Sequence, residues 1–381
     1  MSEIYCTAPF NGITVRENGD VKTCCVGGIN IGNLNSDSIQ NILQSEKLKN
    51  IQKSMINGSV DLKNCSHCLR QEQHSGLSSL RHHYLKFYPN TWDQLKLKNL
   101  DIRWNNLCNL GCVYCSSTFS SVWEDRESIR LNRPIKEYQD DLQDFILNNI
   151  DQVEEIMLVG GEPMLMKQNY SLFEKLPSST KISIITNFSY DLEKLPCFKS
   201  LLNRPKENIK WNLSLENSDQ KFEYVRNGAS WHQIEKNLKL LDQHWPNSAC
   251  VNMVYSVFTA FDIDNAIATF HKFNIKKFNF QSYFGHSAFD VFSMPAPIKK
   301  IALDTLLVAQ QVHANSIHHE DKHLYPIENI NHIIRHLQLP STASVTKQSF
   351  YERAEWCNQW NHTRFQDLWP NVVDLVDQHL V

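Results

Sequence analysis

The sequence contains no apolar run of the length that a membrane-spanning helix requires. Such a helix needs about 18 or more consecutive apolar residues, and the first ten residues, MSEIYCTAPF, also lack the charged start and apolar core of a secretion signal. No internal repeat or low-complexity segment is evident in the 381 residues. We therefore expect a cytoplasmic protein that has no membrane partner.

An excess of positive charge is also missing. The sequence has 38 Lys and Arg residues against 41 Asp and Glu residues, which gives a formal net charge of −3. Proteins that bind nucleic acid through its phosphates usually carry a basic surplus. The composition therefore disfavours nucleic acid as a partner.

A disulfide framework is the third feature that the sequence does not support. Its 11 cysteines lie in a long chain without an export signal, whereas disulfide frameworks are typical of short secreted chains. Most of these cysteines are clustered along the sequence, which favours metal or cluster ligation. The three that stand alone are interpreted as buried small hydrophobic residues; they are Cys197, Cys250 and Cys357.

Three of the clustered cysteines lie in one short loop after an apolar run that predicts a strand. Cys108, Cys112 and Cys115 are separated by three and then two residues. Three thiolates at this spacing can bind three irons of a four-iron cluster and leave the fourth iron open for chemistry, because electron carriers normally close all four positions with cysteine. Zinc is the alternative metal, since three cysteines in a loop can also be zinc ligands.

A second set of four cysteines lies near the start of the chain. Asn18-Gly19 predicts a tight hairpin that folds Cys24 back toward the segment that follows Cys6. Four cysteines suit either an iron-sulfur cluster or a structural zinc ion, since both accept four thiolates. Cys25 is an extra thiol, and the spacing favours Cys24 as the ligand. The complete set is Cys6, Cys24, and the two-residue knuckle of Cys65 and Cys68.

Strands and helices alternate through the middle of the sequence. Six strands are predicted, the first before the Cys108 loop and the last at residues 277–283, and helical segments link them. This is the pattern of a parallel sheet wound into a barrel-like layer. Functional groups of parallel α/β barrels gather at the carboxyl ends of the strands. The candidates at these ends are Cys108, Gly160, Gly161, Glu162, Pro163, Asn187, Ser214, Glu216, Gln281 and Tyr283.

The cysteine loop and the Gly160-Gly161-Glu162-Pro163 string together resemble the two motifs of the radical S-adenosylmethionine (SAM) superfamily. The resemblance implies a partial (β/α)6 barrel in which SAM chelates the open iron of a 4Fe-4S cluster. It also implies that the string holds the amino group of SAM. The other SAM contacts that it implies are Tyr114 against the adenine, Asn187 and Ser214 at the ribose or methionyl part, and Arg226 at the carboxylate. A core aromatic, a turn-forming amide and a surface cation are the structural alternatives for Tyr114, Asn187 and Arg226.

The spacing of Cys6, Gly19 and Cys24 resembles the opening of the auxiliary-cluster modules called SPASM and twitch domains. The sequence lacks the further cysteines of a full SPASM domain after Cys68, so the resemblance implies the shorter twitch form with one auxiliary 4Fe-4S or 2Fe-2S cluster. Such modules usually follow the radical SAM domain, whereas this one precedes it. The predicted domains are the auxiliary module at 1–90, the barrel at 91–290 and a helical extension at 291–381.

The resemblance implies a radical SAM oxidoreductase or maturase. It would cleave SAM reductively to a 5′-deoxyadenosyl radical, which takes hydrogen from a peptide or small-molecule substrate. The auxiliary cluster would transfer electrons or bind substrate, and a flavodoxin or ferredoxin would donate electrons. The alternatives are a non-catalytic zinc or iron-sulfur scaffold and an RNA-modifying radical SAM enzyme. The substrate-contact candidates are Glu216, Gln281, Tyr283 and His286, and a solvated loop histidine also explains His286.

Overall fold

A computed structural model describes residues 5–59, 62–75, 79–89, 95–129, 136–283, 286–313, 327–341 and 345–381. The chain divides into two compact units, each made of several segments. Unit 1 comprises Met1–Cys108, Ser117–Thr186 and Glu193–Lys210, and unit 2 comprises Asn109–Ser116, Asn187–Leu192 and Trp211–Val381. The predicted domain boundary at residues 90 and 91 lies outside the described residues.

Unit 1 contains a sheet of six strands. They are β1 (Gly12–Val15), β2 (Asp20–Lys22), β3 (Asn30–Asn33), β4 (Asn99–Ile102), β5 (Glu155–Leu158) and β6 (Lys181–Thr186). Their order in the sheet is β3-β2-β1-β4-β5-β6. β1 and β2 form the predicted antiparallel hairpin, and Gly19 at its turn has a φ of 83°, which glycine adopts without strain.

The N-terminal hairpin continues the sheet that leads to the cysteine loop. β1 pairs in parallel with β4, and Ile13 lies opposite Leu100. β4, β5 and β6 are also parallel to one another. The first strand of the predicted auxiliary module is therefore a neighbour of the first strand of the predicted barrel.

The side chains of the parallel strands alternate between two faces of the sheet, as expected for extended chains. The fully buried face carries Leu100, Ile102, Ile156, Leu158, Ile182 and Ile184. The other face carries polar side chains, including Asn99 and Asp101.

Unit 1 has nine helices among its described residues. They are α1 (Ala8–Asn11), α2 (Ile39–Gln44), α3 (Glu46–Asn57), α4 (Leu62–Ser75), α5 (Leu80–Phe87), α6 (Ser121–Glu127), α7 (Lys136–Asn148), α8 (Lys167–Lys175) and α9 (Phe198–Leu202). α3 ends at Gly58, whose φ of 69° gives the helix a left-handed cap, a conformation that favours glycine.

One prediction in this region is wrong. Cys65 and Cys68 lie within α4 and do not form a knuckle. α4 ends at Ser75, and α5 begins at Leu80. The start of α5 is fixed by Ser79, whose side chain accepts a hydrogen bond from the His82 N–H in a capping box.

Unit 2 contains three parallel strands and the C-terminal helices. The strands are β7 (Ile209–Ser214), which belongs to this unit from Trp211 onward, β8 (Ala249–Tyr255) and β9 (Phe278–Ser282), in that order. The helices are α10 (Asp219–Val225), α11 (Trp231–His244), α12 (Ile263–His271), α13 (Ala296–Val312), α14 (Ile327–Gln338), α15 (Lys347–Asn358), α16 (Phe365–Leu368) and α17 (Pro370–His379).

Two aromatic residues of the C-terminal tail, Phe365 and Trp369, are core residues, whereas Trp360 is exposed. Phe365 and Trp369 stack with their ring centroids 5.1 Å apart. The Trp369 indole N–H donates to the carbonyl oxygen of Phe258, 3.2 Å away. The tail therefore packs on the segment that follows β8.

The structure confirms the predicted fold class. The architecture is mixed α/β, and the six strands β4 to β9 alternate along the chain with helices. Within the described part of the chain, no helix combines the length and the apolar character needed to cross a membrane.

Candidate active site

The four N-terminal cysteines of the predicted set share one environment in unit 1. Cys65 and Cys68 are three positions apart in α4, so their side chains leave the same face of the helix. Burial raises the pKa of Cys6, and the charges of the other three thiols raise it further. Burial also raises the pKa of Cys24 to about 11, with smaller contributions from Cys65 and Cys68.

Two glycines allow the loop after Cys24 to pack closely. A Cβ at Gly28 would lie 2.2 Å from the carbonyl oxygen of Cys24, a distance that no side chain tolerates. Gly27 has a φ of 76°, and a Cβ there would lie 2.8 Å from the carbonyl oxygen of Asn64. Because Asn64 directly precedes Cys65, these glycines hold the Cys24 loop against the helix that carries the other two thiols.

Hydrogen-bond donors surround these sulfurs. The Ala8 N–H donates to Cys6 Sγ at 3.5 Å. Burial raises the pKa of Cys68, whereas the Ser79 hydroxyl and the Arg81 charge lower it. Donors and a nearby cation stabilise thiolates, which are the form of cysteine that binds metals and clusters.

Cys25 has different neighbours from Cys24. Burial raises its pKa, and the charged groups that act on it are Asp101, Cys24 and Arg103. Two of these charged groups, Asp101 and Arg103, lie in or directly after β4. The choice of Cys24 as the ligand stays a prediction.

The four thiols of this environment match the number and the type of ligand that a cluster needs. Four thiols are the ligands that an iron-sulfur cluster or a structural zinc ion takes. In the described ranges, no group of three or more His, Cys, Asp or Glu side chains converges closely enough to hold a single metal ion. The environment thus provides the ligands without the geometry of a preformed single-ion site.

The Gly160 to Pro163 turn packs against the segment that leads into Cys108. The Glu162 N–H donates to the carbonyl oxygen of Leu107 at 2.7 Å. Gly161 is required there, because a Cβ would lie 2.1 Å from that same carbonyl oxygen. Leu107 and Glu162 lie more than 50 positions apart in the sequence, and their hydrogen bond joins the turn to the start of the cysteine loop.

The Glu162 carboxylate shapes this turn. It is fully buried, and its Oε1 accepts hydrogen bonds from the Met164 N–H at 3.0 Å and from the Thr186 hydroxyl at 2.8 Å. Its role in binding the SAM amino group stays a prediction.

Two residues that the sequence did not single out hold the start of the cysteine loop. Ser121, at the start of α6, accepts a hydrogen bond from the Cys108 N–H at 3.1 Å and donates to the Cys108 carbonyl at 3.2 Å. The Asn106 side chain donates to the Ser117 carbonyl at 2.7 Å. The only local sequence signal that could have pointed to Ser121 was a short polar residue at the start of a helix.

The rest of the cysteine loop belongs to unit 2, where it runs beside the end of α10. The Gly111 N–H donates to the Asn227 carbonyl and the Val113 N–H donates to the Val225 carbonyl, both at 2.9 Å. A turn follows, in which the Cys115 N–H donates to the Cys112 carbonyl at 3.0 Å. Backbone bonds therefore hold Cys112 and Cys115 next to the Tyr224 to Gly228 segment.

A buried ion pair lies beside Cys112. Arg226 donates from Nε and Nη2 to the two carboxylate oxygens of Glu216, at 2.7 and 2.6 Å. Its third nitrogen, Nη1, lies 3.8 Å from Cys112 Sγ, and the guanidinium carbon is 5.5 Å from the centre of the Tyr114 ring. Burial raises the pKa of Cys112 to about 12, and the Arg226 charge opposes that rise.

Four of the predicted residues thus meet in unit 2, together with Tyr283. The Tyr283 ring lies 6.4 Å from the Tyr114 ring in an edge-to-face arrangement. The Tyr283 hydroxyl accepts a hydrogen bond from the His286 N–H at 3.0 Å. The other members of this group are Cys112, Arg226 and Glu216.

The remaining candidates have other surroundings. Asn187 donates to Asn109 Oδ1 at 2.9 Å and accepts from the Ser189 N–H at 3.0 Å, as a turn-forming amide does. Ser214 is half-buried at the end of β7, and Gln281 and His286 are exposed. His286 Nδ1 accepts the Ala288 N–H at 3.2 Å. Their roles toward SAM and substrate stay predictions.

Arg353, in α15, is a further residue that the sequence did not single out. Its guanidinium donates to the Val113 carbonyl at 3.4 Å and lies 3.7 Å from the centre of the Trp356 ring. The C-terminal extension therefore reaches the cysteine loop. No local motif marks this contact, because the two residues lie 240 positions apart.

Comparison with known families places two domains on these segments. Residues 6–69 match the SPASM family, described as an iron-sulfur cluster-binding domain, and residues 102–265 match the Radical SAM superfamily. A search of curated proteins gives no match.

Solved structures of low similarity were also found. Native anSMEcpe with bound AdoMet is 16% identical, with a TM-score of 0.41, and the match covers 57% of this chain and 62% of that one. The same protein with bound AdoMet and Kp18Cys peptide is 16% identical, with a TM-score of 0.40 and the same coverage. TYW1 with a lysine-pyruvate adduct bound is 14% identical, with a TM-score of 0.37, over 65% of this chain and 80% of that one. The chain thus spans about three fifths of anSMEcpe.

Proposed function

We propose that this chain, whose segments match the SPASM and Radical SAM families, cleaves SAM reductively and removes hydrogen from a peptide or small-molecule substrate. The observation that carries the proposal is the 2.7 Å hydrogen bond from the Glu162 N–H to the Leu107 carbonyl. It holds the Gly160 to Pro163 turn beside Cys108. A binding turn for SAM and a cluster ligand must be neighbours if SAM is to reach an open iron.

The ligands that we propose follow from the number of thiols at each site. Cys108, Cys112 and Cys115 supply three thiolates, which leaves one iron of a four-iron cluster open for SAM. When bound, that cluster supplies the electron that cleaves SAM to the 5′-deoxyadenosyl radical. The auxiliary cluster has a full set of four ligands, namely Cys6, Cys24, Cys65 and Cys68.

The Gly160 to Pro163 turn binds SAM through its backbone in this proposal. Because Gly160 and Gly161 have no side chains, a ligand can approach the main chain closely. The Glu162 carboxylate fixes the turn from inside through Met164 and Thr186. The turn is therefore preorganised, which lowers the entropic cost of binding SAM.

In this proposal the Arg226 and Glu216 pair stabilises the thiolate of Cys112, a cluster ligand. Its positive edge faces Cys112 Sγ, and a buried cation near a thiolate favours the ionised form that binds iron. We retain Tyr114, Asn187, Ser214 and Arg226 as proposed SAM contacts. Glu216, Gln281, Tyr283 and His286 are the proposed substrate contacts.

The auxiliary site either transfers an electron from the substrate or binds the substrate, and an external flavodoxin or ferredoxin supplies electrons to the protein. Arg81 supports the first role, because its charge acts on both Cys6 and Cys68. Arg81 is itself held by Glu72, with Nε donating to Oε1 at 3.0 Å. A fixed cation beside the sulfurs favours the reduced state of a cluster.

The experiment is SAM cleavage by the full chain after anaerobic reconstitution with iron and sulfide. With dithionite as reductant, the wild-type protein should form 5′-deoxyadenosine from SAM. Cys112→Ala should abolish this activity because it removes a proposed ligand. Cys197→Ala is the matched control, since Cys197 is a buried cysteine outside both sets, and it should retain activity.

Three results would contradict the proposal. One is a colourless protein that holds zinc after reconstitution. The second is iron-loaded wild-type protein that forms no 5′-deoxyadenosine. The third is equal activity of Cys112→Ala and the wild type.

A further inference from the structure

An exposed aromatic side chain at the end of α5 is surrounded by lysines. Phe87 is 37% exposed, and the ammonium nitrogens of Lys86 and Lys181 lie 5.1 and 5.9 Å from the centre of its ring. The ammonium nitrogen of Lys98 lies 5.9 Å from the ring centre of the next residue, Tyr88. We call this part of unit 1 the Phe87 surface, and it is formed by Phe87 and these three lysines.

The Phe87 surface is positive although the whole chain has a net charge of −3. Lys86 and Lys181 are exposed, and neither forms an ion pair with another residue that the structure describes. Lys98 pairs with Glu154 at 2.6 Å. The other acidic residue near these lysines is Glu155, which is partly exposed. The lysines outnumber the glutamates, so the surface attracts a partner of negative charge.

Ring contacts lead from this surface to the N-terminal cysteines. The ring centres of Phe87 and His83 lie 4.9 Å apart, and those of His83 and Tyr84 lie 6.0 Å apart. Tyr84 belongs to a buried cluster against which Cys6 and Cys24 pack. Electron transfer through a protein slows steeply with distance. A partner on the Phe87 surface would therefore lie close enough to the proposed auxiliary cluster to exchange electrons with it.

Hydrogen bonds hold the rings below the surface in place. The Tyr84 hydroxyl donates to Asn99 Oδ1 at 3.0 Å, and the Tyr88 hydroxyl donates to Glu155 Oε2 at 3.2 Å. The Asn99 amide donates to that same carboxylate oxygen at 3.1 Å. A surface that is fixed in advance loses little conformational entropy when a partner docks.

The layout of the Phe87 surface suits a short-lived contact with a protein. An apolar centre with a polar rim is the usual anatomy of an interface, and one exposed ring within a ring of lysines is a small version of it. Interfaces of weak electron-transfer complexes are the smallest class, burying less than about 1,200 Å².

We propose that an acidic one-electron carrier protein docks on the Phe87 surface and exchanges one electron with the auxiliary cluster. The inference rests on the proposed function and deepens it, because it assigns a surface to the external electron carrier. The lysines attract the carrier, and Phe87 packs against it. In the direction that is tested, the reduced carrier loses one electron and the auxiliary cluster gains it, and no atom or proton is transferred.

The test measures how fast the reconstituted full chain oxidises a reduced, acidic flavodoxin. The flavodoxin is freed from excess reductant and mixed with the oxidised protein in an anaerobic stopped-flow instrument, and the flavin absorbance gives the second-order rate constant. Lys86→Glu and Lys181→Glu should each lower this constant by about tenfold at low salt, because electrostatic steering changes association rates by about 10–10³. The difference should shrink at high salt, which screens exposed charges.

Lys47→Glu is the matched control. Lys47 is an exposed lysine of α3 and is not among the lysines beside the Phe87 and Tyr88 rings. The change of charge is the same, but steering depends on where the charge lies, so the rate constant should change by less than about twofold. The extent of cluster reduction by dithionite should be the same in every lysine variant and the wild type, because the clusters stay intact.

A second variant tests the route of the electron. Cys24→Ala removes a proposed ligand of the auxiliary cluster and should lose the fast oxidation of flavodoxin. Unchanged oxidation by this variant would overturn the proposal, since electrons would then enter elsewhere.

Equal rate constants for the wild type, Lys86→Glu and Lys181→Glu would also overturn the docking site, and so would an equal slowing by Lys47→Glu. Binding of an oligouridylate RNA that is lost in the lysine variants, together with unchanged flavodoxin rates, would assign the surface to RNA instead. The proposed function is tested separately on the same preparations. It fails when the dithionite-reduced wild type forms no 5′-deoxyadenosine from SAM, whatever the flavodoxin rates are.

Discussion

At the scale of single residues, the buried Arg226 and Glu216 pair has the largest predicted effect on stability. Glu216 is fully buried and Arg226 is nearly so, and two hydrogen bonds join them. Removing one member of such a pair leaves an uncompensated buried charge. Glu216→Gln should therefore lower the free energy of unfolding by about 3–5 kcal/mol, measured by urea denaturation under anaerobic conditions.

The matched control for this prediction is Glu355→Gln. Glu355 also pairs with an arginine, Arg364, but both side chains are more than half exposed. Exposed pairs contribute about 0–1 kcal/mol, so this variant should change stability little. Similar small effects of the two substitutions would contradict a structural role for the buried pair.

Cys24 and Cys25 provide a second prediction at this scale. The charges of Cys65 and Cys68 act on the Cys24 thiol, whereas Asp101 and Arg103 are among the charged groups that act on the Cys25 thiol. Cys24→Ala should lose the iron of the auxiliary cluster, about four atoms per chain for a 4Fe-4S centre, and Cys25→Ala should keep it. Iron and sulfide analysis of reconstituted proteins checks this, and the reverse pattern would show that Cys25 is the ligand.

At the scale of the elements, the loop between β2 and β3 positions a predicted ligand by its backbone. Gly28→Ala places a Cβ 2.2 Å from the Cys24 carbonyl oxygen, so the loop must move and Cys24 with it. We expect a lower auxiliary iron content. Val26→Ala, in the same loop, shortens a side chain without a new contact and should keep the iron. Full iron content in Gly28→Ala would contradict the role of this loop.

Local sequence patterns predicted most of the elements. The Asn18-Gly19 turn predicted the hairpin, and the apolar run at residues 155–159 predicted β5, because turn chemistry and hydrophobic pattern are local properties. The same reasoning failed for Cys65 and Cys68. Their spacing is compatible with a knuckle and with one turn of helix, and only the surrounding packing decides between them.

Local sequence patterns could not predict the contacts between distant segments. The pairing of β1 with β4 joins residues that lie more than 80 positions apart, and nothing local encodes a strand's neighbour. The same limit applies to the candidate site. The cysteines and the Gly160 to Pro163 turn carry recognisable motifs, whereas the contact of Arg353 with Val113 joins residues that lie 240 positions apart and has no motif.

At the scale of the whole molecule, the N-terminal segment is part of the framework of unit 1. β1 pairs with β4, and the Tyr84 hydroxyl of α5 donates to the Asn99 side chain at 3.0 Å. A chain that begins at residue 95 would expose the edge of β4, and exposed strand edges promote aggregation. We expect this truncated chain to be insoluble or unfolded, as judged by circular dichroism.

The control for the truncation removes the cluster ligands and keeps the strand. Replacing Cys6, Cys24, Cys65 and Cys68 together by alanine should leave a folded protein that still cleaves SAM. A truncated chain that folds and cleaves SAM would contradict the framework role of β1.

The central claim is that this chain holds two clusters and that only one of them is open to SAM. Electron paramagnetic resonance of the dithionite-reduced, reconstituted protein tests it most directly. We predict two cluster signals, of which one shifts when SAM is added, and we predict that only this SAM-sensitive signal persists in Cys24→Ala. A wild-type spectrum that shows no cluster signal, or in which no signal responds to SAM, would contradict the account.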